Sequence, residues 1–276
     1  MRTNELFRLL DIRDEDRAGC MALVNGSADQ SAVSEATTAL IGRLGSYSPE
    51  PIPAATTDPM AWLTAFLRLT PAIVNWHHAL QVPADITEAT LADVGRNLAI
   101  HRRSHGEFGL ETWDWLIPHY TGMMFALGRL NYMLHRTKET VEGVMLPGDW
   151  VPGIHIPESG PLTPAAVDAS LVQARAFFAE RFPEKPVSVA VCDSWLLDPF
   201  LSTHLATGTN IGSFVGRFTP LGQPHDDATA ALYFVFRTRD LPMLPTLPRN
   251  SSLQRLVLDR AARNDPWQIH SGYLQL

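Results

Sequence analysis

The chain has 276 residues, of which 45% are hydrophobic and 18% charged, with a formal net charge of −7. That length holds one large domain or two of ordinary size, and the acidic balance excludes a general nucleic-acid binder, whose affinity rests on positive charge. Two distant cysteines, Cys20 and Cys192, exclude a disulfide framework and fit a reducing, cytoplasmic setting; the charged N-terminus does not read as a secretory signal, and no stretch reaches the roughly 18 apolar residues of a membrane span.

The first half reads as helical. "TNELFRLL" opens on Thr3 as a cap, and "SAVSEATTALIGRLGSY" repeats the apolar spacing and stops at Gly45. "DPMAWLTAFLRLTPAIVNWHHAL" is apolar on nearly every face, which predicts a buried helix broken near Pro71. Thr87 to Gly106 reads as one further helix, and "LETWDWLIPHYTGMMFALGRLNYMLHR" as another, with no strand before about residue 144. A Pro- and Gly-rich stretch then predicts a domain boundary near 145, dividing the chain into 1–145 and 146–276.

Elements alternate beyond it. Trp150 to Ile156 is extended, and residues 163 to 182 form a helix entered through Thr163 and Pro164. "VSVAVC" is a short β-branched run suited to a buried strand. "DSWLLDPFLSTHLA" reads as a short helix, "SFVGRFTP" and "TAALYFVFRT" as strands around the turn-rich "LGQPHDDA", and "WQIHSGYLQL" as a closing strand. The fold class is therefore α/β in the broad sense (α+β), a helical N-terminal domain followed by a mixed-sheet C-terminal domain.

"LPTLPRNSSLQRLVLD" places an arginine, an asparagine and two serines where a helix begins. Such a start carries unpaired N–H groups and the positive end of a helix dipole, so it suits a phosphate; equally, Ser251 or Ser252 serves as an ordinary N-cap. His155, in "GIHIP" at the domain junction, has the chemistry of a general base near neutral pH, or it only bonds a nearby carbonyl. Asp198, in "SWLLDP", is an acid/base, an orienting group for His155, or a helix-end residue before Pro199. His225 ranks lower, on what reads as an exposed hairpin. Cys192 ends a strand at a helix start, which suits a reactive thiol, although free cysteines are mostly buried and inert. His101 and His105 share a helical face but stand in no metal-site signature, so no metal is expected.

"CDSWLLDPFL", "TNIGSFVGRFTP" and "LPRNSSLQRL" resemble a bacterial acyltransferase family with a GNAT-like C-terminal domain. "GEFGLETWDWL" and "FALGRLNYML" resemble its companion, the N-acyltransferase N-terminal domain. The resemblance implies transfer of an acyl group from acyl-CoA to a small-molecule amine acceptor, with coenzyme A as co-substrate; an acyl carrier protein is an alternative donor. It implies that main-chain groups of Tyr233, Phe234, Val235 and Phe236 hold the pantetheine, and that Arg249, Asn250, Ser251, Ser252, Leu253, Gln254 and Arg255 hold the phosphates, with Trp195 lining an acyl pocket. In that fold the loop after the central strand carries the pyrophosphate. The usual glycines of that loop are missing from Arg249 to Gln254, which favours the alternative of a catalytically silent ligand- or partner-binding module. Acyl length, acceptor and oligomeric state are not readable from the residues.

Overall fold

The computed structural model describes all residues except 54, 55, 206, 207 and 228. Its first part is helical: α1 (Thr3–Leu9), α2 (Asp14–Val24), α3 (Gln30–Arg43), α4 (Pro59–Ala79), α5 (Ala84–Leu91), α6 (Asp93–His105) and α7 (Trp113–Tyr120). Asp29 and Asp58 cap α3 and α4 by accepting from the N–H groups of Ser31 and Met60. Helix α4 is the hub, with Trp62, Leu63, Phe66, Leu67 and Ile73 buried against α2, α3 and α7.

Two sequence expectations change here. Helix α4 runs unbroken through Pro71, because burial on several sides outweighs one missing hydrogen bond. The expected helix from Thr87 to Gly106 is instead two, divided at Ala92, and its C-terminal stop at Gly106 is realised with φ 77°.

The apolar stretch after Tyr120 also departs from expectation. It turns at Gly122 and forms a hairpin of β1 (Met124–Leu127) and β2 (Leu130–Arg136), with Gly128 at φ 70° in the turn. Strand β1 is buried at every position, and an all-apolar run of that kind carries no period that separates strand from helix. Strands therefore begin upstream of residue 144.

The chain continues through β3 (Trp150–His155), α8 (Pro164–Arg181), β4 (Val189–Ser194), a 3-10 turn at Trp195–Leu197, α9 (Pro199–His204), α10 (Asn210–Val215), β5 (Thr219–Asp226), α11 (Ala230–Phe236), a second 3-10 turn at Leu241–Thr246, α12 (Ser252–Ala262) and β6 (Gln268–Gln275). Helix α8 starts as the sequence predicts, with Thr163 Oγ1 accepting from Ala166 N at 3.3 Å and Pro164 in the first turn. The sheet order is β1-β2-β3-β4-β6-β5. All neighbours are antiparallel except β3 and β4.

The two strands expected around a turn at 221–228 are corrected. "SFV" ends α10, the turn-rich stretch is strand β5, and "AALYFVF" is helix α11; the end of the expected turn at Ala228, like the end of the expected helix at Ala206, lies outside the described residues. Pairing with β6 makes β5 a strand, and its edge position tolerates Pro220 and Pro224. Tyr233 through Phe236 therefore offer no strand edge to a ligand, since this backbone is turned into a helix, with Tyr233 N bonded to Thr229 O at 2.9 Å and Arg237 N to Tyr233 O at 2.8 Å. Among the described residues, no helix is long and apolar enough to cross a membrane.

Candidate active site

The one parallel contact in the sheet is also its weakest seam. Strands β3 and β4 share a single paired position, Gly153 with Val191, whereas β2–β3 and β4–β6 each pair along six. Toward their carboxyl ends β3 and β4 form no second pair. Crevices outside the carboxyl ends of parallel strands are where open sheets bind ligands, and exposed strand edges bind extended chains by main-chain hydrogen bonds.

His155 is the last residue of β3, at that seam. Alternation along the strands puts Val151, Gly153 and His155 on one face, opposite His135, Met133 and Asn131 of β2. Gly153 is what lets two imidazoles converge. A Cβ there would lie 3.2 Å from Cε1 of His135 and 3.6 Å from Nε2 of His155. The Trp115 ring meets His155 edge to face, with centroids 4.8 Å apart. Nε2 of His155 is buried without a protein partner. Burial, then the neighbouring His135 and His119, push its imidazole down to about 3, so the ring is neutral near pH 7.

A buried polar cluster supports this corner. Asp93, at the start of α6, accepts from Nε2 of His119 and from Nδ2 of Asn131, both at 2.8 Å, and is paired with Arg96. Asn131 stands directly across from His155 in the β2–β3 register. The cluster thus fixes α6 and α7 against β2, the neighbour of the strand that carries the base candidate. None of Asp93, Arg96, His119 or Asn131 was singled out in the sequence, because their separation along the chain gives no spacing signal.

Burial pushes three imidazoles well below their ordinary value: His77 to about 4, and His119 and His155 to about 3. In the unfolded chain each takes a proton near pH 6.5. Below that pH the unfolded state binds protons that the folded state refuses, so stability falls as pH drops from about 6.5 toward 4. Thermal unfolding across this window should show the melting temperature declining steadily; a flat profile would mean that these rings are hydrated in solution.

Asp198 lies elsewhere. It is 3% exposed, caps α9 through Phe200 N at 2.9 Å, and its other oxygen accepts from Arg260 Nη1 at 2.7 Å and Gln268 N at 3.2 Å. Arg260 in turn lies over Phe200 and Trp267. The expected acid/base or orienting role is thus replaced by a buried ion pair that ties α9, α12 and β6 together. Trp195 is core, edge to face with Trp267 at 5.6 Å. Cys192 is buried, and burial pushes its thiol up, opposite to what a nucleophile needs. His225 pairs with Ile269 on the edge strand, away from the seam.

The polar start of α12 is closed by its own side chains. Ser251 Oγ accepts from Gln254 N at 3.1 Å, and Gln254 Oε1 accepts from the N–H groups of Asn250 and Ser251 at 2.8 and 3.0 Å. This is a complete capping box. Arg255 donates to the carbonyls of Arg249 and Asn250, and Arg249 pairs with Asp259. The phosphate cradle expected at Arg249 to Arg255, with Ser252 and Leu253 inside it, is thus occupied in part by its own chain: the amides of Asn250, Ser251 and Gln254 and the guanidinium groups of Arg249 and Arg255 already have partners. Arg255→Ala should leave acyl-CoA affinity unchanged in a direct titration, and a weakened dissociation constant would restore the cradle.

A different loop follows the seam. Residues 156–163 join β3 to α8, and the Arg129 guanidinium donates to the carbonyls of Pro157, Gly160 and Pro161 at 3.1, 2.6 and 3.2 Å. Glu158 in this loop pairs with Arg103 of α6 at 2.7 Å and with Arg237 after α11. Among the described residues, no group of three or more His, Cys, Asp or Glu side chains is arranged to hold a metal ion.

Comparison with known families matches residues 1–122 to the N-acyltransferase N-terminal domain and residues 124–274 to the GNAT-like C-terminal domain. The change-over falls where β1 begins. Similar solved structures include an acyltransferase in complex with CoA and 10C-teicoplanin (TM-score 0.86, 29% identity), one in complex with decanoyl-CoA and teicoplanin (0.85, 29%) and one in complex with decanoyl-CoA (0.84, 31%). Each alignment covers 99% of this chain and 87% of the other. No curated protein matches the chain.

Proposed function

Since the chain belongs to the acyltransferases that join an N-acyltransferase N-terminal domain to a GNAT-like C-terminal domain, we propose that its β3–β4 wedge binds acyl-CoA and passes the acyl group to an amine on a small-molecule acceptor. The observation that carries the assignment to this wedge is the single-point β3–β4 pairing with His155 at its open end. In such a wedge the amide groups of a pantetheine arm pair with the strand edges. The loop 156–163 and the start of α8 then take the phosphate-holding place first sought at α12, because β3 is the central strand they follow.

Direct transfer needs a base, an electrophile held close to it and no covalent enzyme intermediate. The acceptor amine attacks the thioester carbonyl carbon, and His155 takes the amine proton as the new C–N bond forms. Main-chain N–H groups at the strand edge stabilise the oxyanion. The tetrahedral species collapses, the C–S bond breaks, and the CoA thiolate leaves and recovers the proton from His155. Trp115, beside His155, walls the reacting centre.

Relatives crystallised with teicoplanin make a glycopeptide amine the first acceptor to try, and decanoyl-CoA the first donor. Incubation with both should give a decanoyl-glycopeptide mass and stoichiometric free thiol. Acyl-CoA at 100 times its dissociation constant should stabilise the fold by about 2.7 kcal/mol. No stabilisation by any acyl-CoA from acetyl to decanoyl, with no thiol released, would refute the reading.

A further inference from the structure

Resting on the reading of loop 156–163 as the place of the acyl-CoA phosphates, the geometry points to Arg129 as the residue that positions this loop. Its guanidinium draws three carbonyl oxygens to one side, which aims the N–H groups of Glu158 and Leu162 to the other, toward the phosphate. Arg129 stands in the turn between β1 and β2. Its Nε, Nη1 and Nη2 donate to the carbonyls of Pro161, Pro157 and Gly160 at 3.2, 3.1 and 2.6 Å. A planar fork that meets three oxygens sets the course of a loop in a way that a single ammonium does not.

The peptide bonds of the loop are trans, so each unit points its N–H opposite to its C=O. With the oxygens of Pro157 and Pro161 turned to Arg129, the N–H groups of Glu158 and Leu162 face away from it. Gly160 contributes an oxygen but no opposed N–H, since Pro161 follows it. Its φ is 113°, and the point where a Cβ would stand is open space, so the residue is glycine for the turn of the chain and not for room. Backbone amides aimed outward from such a loop are donors that an anion takes.

The platform is firm and its charge suits. Ser170 of α8 donates to Leu127 O and accepts from Leu130 N, so the turn carrying Arg129 is fastened to the helix that the loop enters. Among the described residues, the hydrogen-bond partners of Arg129 are neutral carbonyls, and burial, then the nearby Arg96, work against its charge. An arriving phosphate offsets that cost. The one carboxylate of the loop, Glu158, is shared by Arg103 and Arg237. The loop is thus surrounded by positive charge in a chain of net charge −7, and an anionic donor is drawn to such a place. Arg129 touches no phosphate in this arrangement.

The test compares decanoyl-CoA with decanoyl-pantetheine, which carries the same thioester and no phosphate, on the full chain. Arg129→Gln should weaken binding of decanoyl-CoA about tenfold or more and raise its KM while kcat stays unchanged. For decanoyl-pantetheine, kcat/KM should not change, since this donor offers the loop nothing to hold. Arg129→Lys, which keeps the charge but not the fork, should recover only part of the affinity. In amide ¹⁵N–¹H spectra of the wild type, added CoA should shift Glu158 and Leu162. Unchanged affinity in Arg129→Gln, or an equal loss for both donors, would overturn the role of Arg129. If Glu158 and Leu162 shift in the wild type all the same, the loop keeps the phosphates and only Arg129 is removed. CoA that binds the wild type and shifts neither amide would instead refute the loop reading itself. Should Arg129→Gln not fold, Arg129→Lys with wild-type affinity for decanoyl-CoA would overturn the proposal in its place.

Discussion

His155→Ala should lower turnover by about 100-fold or more, the usual reach of a general base, while decanoyl-CoA still binds and the melting temperature moves little. The expectation of a small structural effect follows from the site. His155 is half-buried at the end of β3, makes no side-chain hydrogen bond that holds the fold, and contributes chiefly an edge contact to Trp115. Removing it relieves a buried nitrogen without a partner and loses one ring contact, and these partly offset each other. The catalytic effect has no such offset, because the two imidazoles nearest His155 are engaged elsewhere. His135 is committed at Nδ1 to a carbonyl, and His119 is engaged with Asp93. The measurement is kcat beside KM and affinity. A fall in kcat with unchanged binding identifies a group that acts in the transition state. Unchanged kcat would remove His155 from the mechanism, and lost binding would make it a ligand-shaping residue.

Asp198→Ala should produce the opposite pattern, a loss of about 3–5 kcal/mol of stability with turnover per folded molecule preserved. The substitution takes from Arg260, 6% exposed, its buried carboxylate partner, and it also removes the N-cap of α9 and the acceptor for Gln268 N. Arg260 keeps Pro266 O and Asp265 as partners, which softens the loss but does not replace the buried carboxylate. Denaturant unfolding compared with active-site-normalised rates separates the two roles. If the variant were as stable as the wild type and slow, Asp198 would regain the acid/base role that its sequence context suggested.

Much of the fold could be read from the residues, and the misses have a common cause. Thr163-Pro164 announced α8, Gly106 announced the end of α6, and the β-branched "VSVAVC" announced β4. Each is a local signal with local chemistry. The hairpin at Met124–Arg136 and the helix at Ala230–Phe236 were misread in opposite directions. Both are short apolar runs whose form is set by what they pair or pack with, and neither carries a decisive period. Strand β5 is the same lesson at a polar edge, where pairing with β6 overrides two prolines and a glycine.

Of the residues the sequence singled out, His155 is the one that stands at the β3–β4 seam. His155 stood out because an imidazole in an extended Pro- and Gly-flanked segment at a junction is unusual. The start of α12 stood out for a reason that also fits a capping box, since serine and glutamine three apart satisfy a helix end as well as they would greet a phosphate. Only the tertiary arrangement separates the two, by showing which amides are already taken. His135, Gly153, Asn131 and Asp93 meet His155 through strand register and helix docking, and no spacing along the chain encodes that meeting.

The most direct test is a crystal structure with bound decanoyl-CoA. The pantetheine should run between β3 and β4 beyond the Gly153–Val191 pair, the thioester should lie beside His155, and the phosphates should sit at the loop 156–163. A cofactor found instead along α11 and the start of α12, with the seam empty, would contradict the account.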